Sequence, residues 1–222
     1  MTVIEPRLEQ RRRNRLKALV ASTEAEGARL QFWARTGAML AIGAVIVIVA
    51  EWNAALVYSL SMLVIFFLTG LLSYRLAIAG RRKMPIGLLL GIADIALLTF
   101  LLVAPNPFAA FHQPAAMALR DGNFKYLLII VCLGALSLSV RYAVYLGFAA
   151  AISWSIGVLW VASQPGSILP HGLREHMNFT EMMQLHLDPN FVNIDEQVTN
   201  VTLILIISGI VGIVVLRARN LA

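Results

Sequence analysis

Long apolar stretches separated by short polar breaks are the feature of this chain that most limits how it can fold. A helix needs about 20 mostly apolar residues to cross the hydrocarbon core of a bilayer. The stretches cover about 37–50, 55–79, 85–104, 124–140, 142–162 and 198–216. Barrel strands alternate polar and apolar residues, and these stretches do not. Backbone amides in hydrocarbon must then be satisfied within helices, so the sequence predicts an all-α, polytopic membrane protein with six transmembrane helices.

The segments between and before these stretches complete the predicted organisation. We expect a basic helix at 1–35, the bundle at 36–216 and an exit segment at 217–222, with long loops at 105–123 and 163–197. The N-terminal segment is rich in Glu, Arg, Leu and Ala, which favours a helix that runs into the first span. In the second loop, residues 177–187 predict a short amphipathic helix that ends at Asp188 and Pro189.

The positions of the basic residues predict the orientation. Of the 18 Lys and Arg residues, all but Arg120, Lys125 and Arg174 fall on the side that holds both chain ends. Because cytoplasmic segments carry the excess of cations, we expect both termini of this multi-pass membrane protein to be cytoplasmic. The net charge of +6 therefore reports topology and contact with the lipid bilayer, and we expect no nucleic-acid partner.

Polar groups inside the spans are expensive, so each needs an explanation. Asp94 is the clear carboxylate within a span. It could act as a proton relay or ion ligand, or it could be a structural residue that binds Ser, Thr or Tyr of a neighbouring helix. Trp154 lies deeper than the other tryptophans, which favours a core position. Asp94 and Trp154 are the candidate ligand-binding residues.

Small residues recur at four-residue spacing in three spans, a pattern that lets helix backbones approach closely. They are Gly87 and Gly91 in the third span, Ala143, Gly147 and Ala151 in the fifth, and Ser208 and Gly212 in the sixth. We expect these residues to pack helices within one bundle, with a homodimer face as the alternative for one of the three groups.

The second long loop holds three of the four histidines beside several carboxylates. His171, His176 and His186, with Glu175, form a candidate metal site, because imidazoles and carboxylates bind zinc, copper and similar ions. The spacing from His171 to His176 does not place two ligands on one helix face. A solvated loop with ordinary surface histidines is therefore the favoured interpretation.

The order of a basic lead, six spans and a basic exit resembles the N-terminal membrane domain of bacterial class III adenylate cyclases. The stretches that carry this resemblance are Arg11-Arg12-Arg13-Asn14-Arg15-Leu16-Lys17-Ala18-Leu19, Asp188-Pro189-Asn190-Phe191-Val192-Asn193 and Val215-Leu216-Arg217-Ala218-Arg219. In that family the last span continues into a helical coupler and a cytosolic domain that works as a homodimer. The resemblance implies conversion of ATP to cyclic AMP with magnesium in that domain.

The resemblance leaves this chain without catalytic residues or a cofactor of its own, because it contains no cyclase domain. It implies a membrane anchor and sensor that binds a small molecule, a lipid or a metal on the outer side. Two other functions stay open. One is a small ion or solute transporter that uses Asp94, and the other is a metal-binding receptor that uses the outer-loop histidines.

Overall fold

The computed structural model describes residues 4–79, 84–109, 113–120, 122–169 and 178–221. About 83% of this part of the chain is helical, and no strand occurs in it. Five of its helices are long and apolar enough to cross a membrane, and Phe124–Ser137 is a shorter apolar segment. The predicted all-α membrane class is confirmed.

In chain order the helices are α1 (Ile4–Val49), α2 (Ala54–Ile78), α3 (Met84–Val103), α4 (Ala115–Arg120), α5 (Phe124–Leu133), a 3₁₀ segment (Gly134–Ser137), α6 (Val140–Ala162), α7 (Phe179–Leu187) and α8 (Ile194–Leu221). Side-chain caps fix three of the starts. Asn53 accepts from Leu56 N at 3.1 Å to begin α2, Ser139 begins α6, and Asn178 forms a capping box with Glu181 to begin α7.

Helix α1 is a single helix of 46 residues. At 1.5 Å per residue it is about 69 Å long, more than twice the thickness of the hydrocarbon core. Its apolar part is Ala25–Val49, so about 21 residues of the same helix precede the span. The N-terminal segment forms a helix that runs into the first span, as predicted, and no proline interrupts the sequence near residue 35.

The fourth predicted span, 124–140, is not one α-helix. It consists of α5 and the 3₁₀ segment, together about 23 Å long. Leu138 then adopts a left-handed conformation with φ of 52°, and the side chain of Ser139 accepts from Tyr142 N. These two residues end the helical path, so α6 begins at Val140 and not after Arg141. One face of the short segment is buried, with Leu127 and Val131 fully covered, whereas Tyr126 and Ile129 are exposed.

Contacts between the helices place both chain ends at the same end of the bundle. Gly147 of α6 lies against Ser208 of α8, and Gly212 lies against Val144, so the start of α6 is beside the end of α8. Gly27 of α1 lies against the carbonyl of Leu136 at the end of the 3₁₀ segment. We call this the terminal end, and the opposite one the loop end.

At the loop end, α4 holds the segment between α7 and α8. Arg120 donates hydrogen bonds to the carbonyl oxygens of His186, Asp188 and Phe191, at distances of 2.6 to 3.2 Å. The predicted helix at 177–187 is observed as α7, which ends at Asp188 as expected. The guanidinium group of Arg120 thus donates the hydrogen bonds that these carbonyl oxygens would otherwise accept from water.

The small residues singled out in the sequence lie between helices of one chain. Gly91 of α3 lies beside Tyr142 and Leu146 of α6. Ser208 and Gly212 of α8 pack against α6, as described above. Gly87, Ala143 and Ala151 are also buried. Close approach of α3 and α8 to α6 therefore forms the core of the bundle, around Trp154, Leu146 and Ile204.

Substitution of Gly147 by Ala is expected to destabilise the bundle, because the added methyl group would overlap Oγ and Cβ of Ser208. Overpacking of this kind costs about 1–3 kcal/mol in the free energy of unfolding. Gly209→Ala is the control, since nothing lies within 4 Å of its would-be methyl group. Thermal unfolding in detergent, followed by circular dichroism, measures both. Equal midpoints for the two variants would contradict the α6–α8 contact.

Candidate functional site

An ion pair between Arg35 of α1 and Asp94 of α3 lies inside the bundle. The two guanidinium Nη atoms donate to the two carboxylate oxygens, one of them at 3.0 Å, and Thr69 Oγ1 lies 2.6 Å from Asp94 Oδ1. Asp94 is 7% exposed. The bidentate contact between Arg35 and Asp94 joins α1 to α3, and Thr69 adds α2. Because the pair is buried, it lies in surroundings of low dielectric constant.

Helix α2 is shaped to receive the guanidinium group. Arg35 Nη2 also donates to the carbonyl of Phe66, and Arg35 Cζ lies 3.8 Å from the centre of the Phe66 ring. A methyl group on Gly70 would lie 3.1 Å from Arg35 Cζ, so glycine lets the guanidinium approach the backbone. The sequence offers Asp94 with a Ser, Thr or Tyr partner, and Thr69 of α2 is such a partner. It does not offer Arg35, which precedes the predicted first span at a position from which a long side chain usually reaches the interface.

The ion pair forms a wall of a small, partly open cleft with room for about one or two water molecules, which we call the terminal cleft. Its residues come from α1, α2, α3 and α6. They are Ala28, Gln31, Phe32, Arg35, Gly70, Ser73, Tyr74, Asp94 and Tyr142. Most of these residues lie between Asp94 and the terminal end. An adjoining cavity, also no larger than about one or two water molecules, is lined in part by the same residues, Gln31, Arg35, Asp94 and Tyr142.

On the other side of Asp94, toward the loop end, the interior is apolar. Ile95, Val103, Leu127, Val131 and Trp154 are each at most 2% exposed there. Polar side chains in this region bond to one another, as Ser153 Oγ and Thr99 Oγ1 do at 2.9 Å. The residues that line the terminal cleft therefore lie at Asp94 and toward the terminal end, whereas the buried polar side chains toward the loop end bond to neighbouring groups.

Trp154, the second candidate ligand-binding residue, belongs to the core and does not line the cleft. It is fully buried, and its Nε1 donates to Gln197 Oε1 at 3.1 Å. Gln197 Nε2 in turn donates to the carbonyl of Leu119 at 3.4 Å. The apolar pattern predicts a loop up to residue 197, so it does not indicate that Gln197 is buried. In the structure α8 begins earlier, at Ile194, and its first turn carries Gln197 into the core.

The candidate metal site falls mostly outside the described residues, since His171, Glu175 and His176 lie there. His186 is exposed near the end of α7, and its Nδ1 is 2.9 Å from the carbonyl of Met182, which leaves Nε2 for a ligand. Within the described ranges, no group of three His, Cys, Asp or Glu residues is placed to hold a metal ion. The metal site in this loop stays a prediction.

Substitution of Asp94 by Asn is expected to destabilise the fold by about 3–5 kcal/mol, because it leaves the charge of Arg35 buried without its counter-ion. Chemical unfolding in mixed micelles, followed by circular dichroism, measures the change. Glu51→Gln, which makes the same chemical change at an exposed position, is the control. The double variant Arg35→Met/Asp94→Leu should recover part of the loss. An equal change in the free energy of unfolding for Asp94→Asn and Glu51→Gln would contradict a stabilising role of the Arg35–Asp94 pair.

The site thus combines a neutralised ion pair with hydroxyl and amide groups beside a cleft. Gln31, Ser73, Tyr74 and Tyr142 supply those polar groups. Such a set can bind and orient a polar ligand, but it holds no nucleophile paired with a base as acyl or phosphoryl transfer requires. Comparison of the chain with protein-family models, with curated proteins and with solved structures gives no match.

Proposed function

We propose that this chain is the membrane anchor and sensor module of a dimeric enzyme of the bacterial adenylate cyclase type. The observation that supports the proposal best is the continuity of α1. One helix lines the terminal cleft with Gln31 and Arg35 and continues for about 20 residues beyond the apolar span. A change at the cleft therefore has a rigid path out of the membrane.

Helix α1 is coupled to the rest of the bundle through a small number of specific contacts. Arg35 joins α1 to α2 and α3, and Gly27 joins it to the 3₁₀ segment. A ligand that alters the geometry of the ion pair shifts α1 relative to these neighbours, and packed helices respond to such a shift as rigid bodies. Helix α8 leaves the bundle at the same end, so both exits are available to a catalytic domain.

Orientation is part of the proposal. The excess of Arg and Lys at the terminal end supports a cytoplasmic location for both termini in the bacterial inner membrane. The proposal has six membrane crossings, with the shorter segment Phe124–Ser137 as the fourth. Helix α4 then spans the part of the bilayer at the loop end that this segment is too short to reach. ATP cyclisation with magnesium would then take place in a cytosolic domain outside this chain.

The shape of the terminal cleft favours a receptor over a transporter. A transporter that uses Asp94 needs access to it from each side of the membrane in turn. Most buried residues between Asp94 and the loop end are apolar, as Leu127 and Trp154 are, and the buried polar ones, such as Thr99 and Gln197, bond to neighbouring groups. A polar cleft that opens toward one end is what a ligand-responsive module requires.

The complete reading frame, expressed in a bacterium that lacks its own adenylate cyclase, is expected to produce cyclic AMP and to form a dimer in nanodiscs. Ser22→Pro should change cyclic AMP output about fivefold or more, the lower range of allosteric coupling, because proline interrupts α1 between the cleft and its N-terminal part. Ser22→Ala is the matched control. A monomer without cyclic AMP production would overturn the proposal, and equal output from both variants would overturn the role of α1.

A further inference from the structure

Helix α7 carries an apolar stripe that the rest of the chain leaves uncovered. Phe179, Met183 and Leu187 follow one another at four-residue spacing, so they lie along one side of the helix. They are 79%, 51% and 76% exposed, and the stripe is therefore open along its whole length. The polar residues of α7 that lie on the next side are also exposed, and they are Thr180, Glu181 and Gln184.

The remaining side of α7 lies against the bundle. Met182 and Leu185 are partly buried, and the ring centre of His186 lies 5.1 Å from that of the buried Phe191. The apolar stripe thus runs between a side that contacts protein and a side that is polar. Such an order suits a helix that lies at the surface of a bilayer beside its own bundle.

Helix α8 indicates where the hydrocarbon of the bilayer ends. Glu196 and Arg217 are charged residues near its two ends, and the helix from 197 to 216 between them is about 30 Å long, the thickness of the hydrocarbon core. Glu196 therefore marks the boundary between hydrocarbon and headgroups at the loop end. Trp160 and Val198, near the ends of α6 and α8 at this level, are exposed and apolar, as a surface in contact with lipid is.

Adjacent residues of α4 hold the end of α7 close to this boundary. The carbonyl of Leu119 accepts from Gln197 of α8 at 3.4 Å. Arg120 donates to the carbonyl oxygens of His186 and Asp188, where α7 ends. The last turn of α7 therefore lies beside the first turn of α8, at the level where the headgroups begin.

The charges near α7 indicate what kind of lipid contact the stripe makes. Among the described residues at the loop end, carboxylates outnumber cations. The carboxylates of α7 and the start of α8 are Glu181, Asp188, Asp195 and Glu196, and the cations are Arg120 and Lys125. Clusters of Lys or Arg draw a surface helix to anionic lipid, and these residues form none. The stripe is therefore suited to hydrocarbon, with no preference for anionic headgroups.

We infer that α7 lies along the boundary of the leaflet at the loop end, with Phe179, Met183 and Leu187 inserted among the acyl chains. The stripe continues the apolar surface that α6 and α8 present to lipid, so one bilayer covers both. Apolar side chains exposed at both ends of the helix favour a position along the boundary over a helix that stands out into water. This contact with lipid does not depend on the proposed cyclase function.

Spin labels on single cysteines, in nanodiscs of dioleoyl phosphatidylcholine, measure how deep each side of α7 lies. The full chain carries Cys132→Ser, which removes an exposed thiol, together with Phe179→Cys, Met183→Cys or Leu187→Cys. Paramagnetic resonance with oxygen and a water-soluble nickel chelate gives the depth of each label. We expect all three labels about 5–10 Å inside the boundary, accessible to oxygen and shielded from nickel.

Thr180→Cys and Gln184→Cys are the matched controls on the polar side of the same helix, and their labels should be accessible to nickel. Circular dichroism like that of the unchanged chain shows that each labelled variant folds. Depths should stay the same when phosphatidylglycerol is added, since no cluster of cations lies among the described residues near α7.

Nickel accessibility on the stripe equal to that of the controls would overturn the lipid contact and show a solvated helix. Protection of the stripe from both reagents would overturn it in favour of a protein cover, such as a second copy of the chain. A label in lipid at position 187 alone would overturn the position along the boundary. A depth that increases with phosphatidylglycerol would overturn the apolar basis of the contact.

Discussion

The buried pair of Arg35 and Asp94 is the interaction on which the first half of the bundle depends. Either charge alone would be very costly in hydrocarbon, and together they remain stable only because Thr69, the Phe66 carbonyl and the Phe66 ring complete the surroundings of the guanidinium. The pair fixes the rotation of α1 about its axis, since only one face of that helix can present Arg35 to α3. That rotation in turn places Gln31 and Phe32 in the terminal cleft.

The second half of the bundle is held together differently. Helices α6 and α8 approach through Gly147 and Ser208, and the interior is filled by Trp154 and its neighbours. This packing is dry and closely fitted, as in other helix pairs that associate through small residues. The protein therefore has one part in which polar side chains surround a small cleft and one that is closely packed, and α3 belongs to both.

Much of the architecture could be predicted from the sequence because apolar length is a strong signal. The helices α2, α3 and α6 lie close to their expected bounds, and the i, i+4 small residues of α6 and α8 lie where helices meet. The break at Leu138 and Ser139 was not predicted, because an apolar run does not reveal where a left-handed residue and a helix cap interrupt it. Asp94 stands out in the sequence because it is a carboxylate within an apolar stretch, but its partner Arg35 does not stand out. Arg35 lies near the start of an apolar run, where long cations usually reach the interface, and only the three-dimensional structure shows it turned inward.

The contact of Gly27 with the Leu136 carbonyl has a mechanical consequence. It lies about 12 Å along α1 from Arg35 and about 35 Å from Ile4, at 1.5 Å per residue. With glycine at that point the helix sits directly on the backbone of the 3₁₀ segment, which makes the contact a fulcrum. In the proposed sensor, a rigid α1 that pivots there would turn a lateral displacement of about 1 Å at Arg35 into one of about 3 Å, in the opposite direction, at the first turn of the helix. The unequal lengths of α1 on the two sides of Gly27 would thus enlarge a small rearrangement of the ion pair.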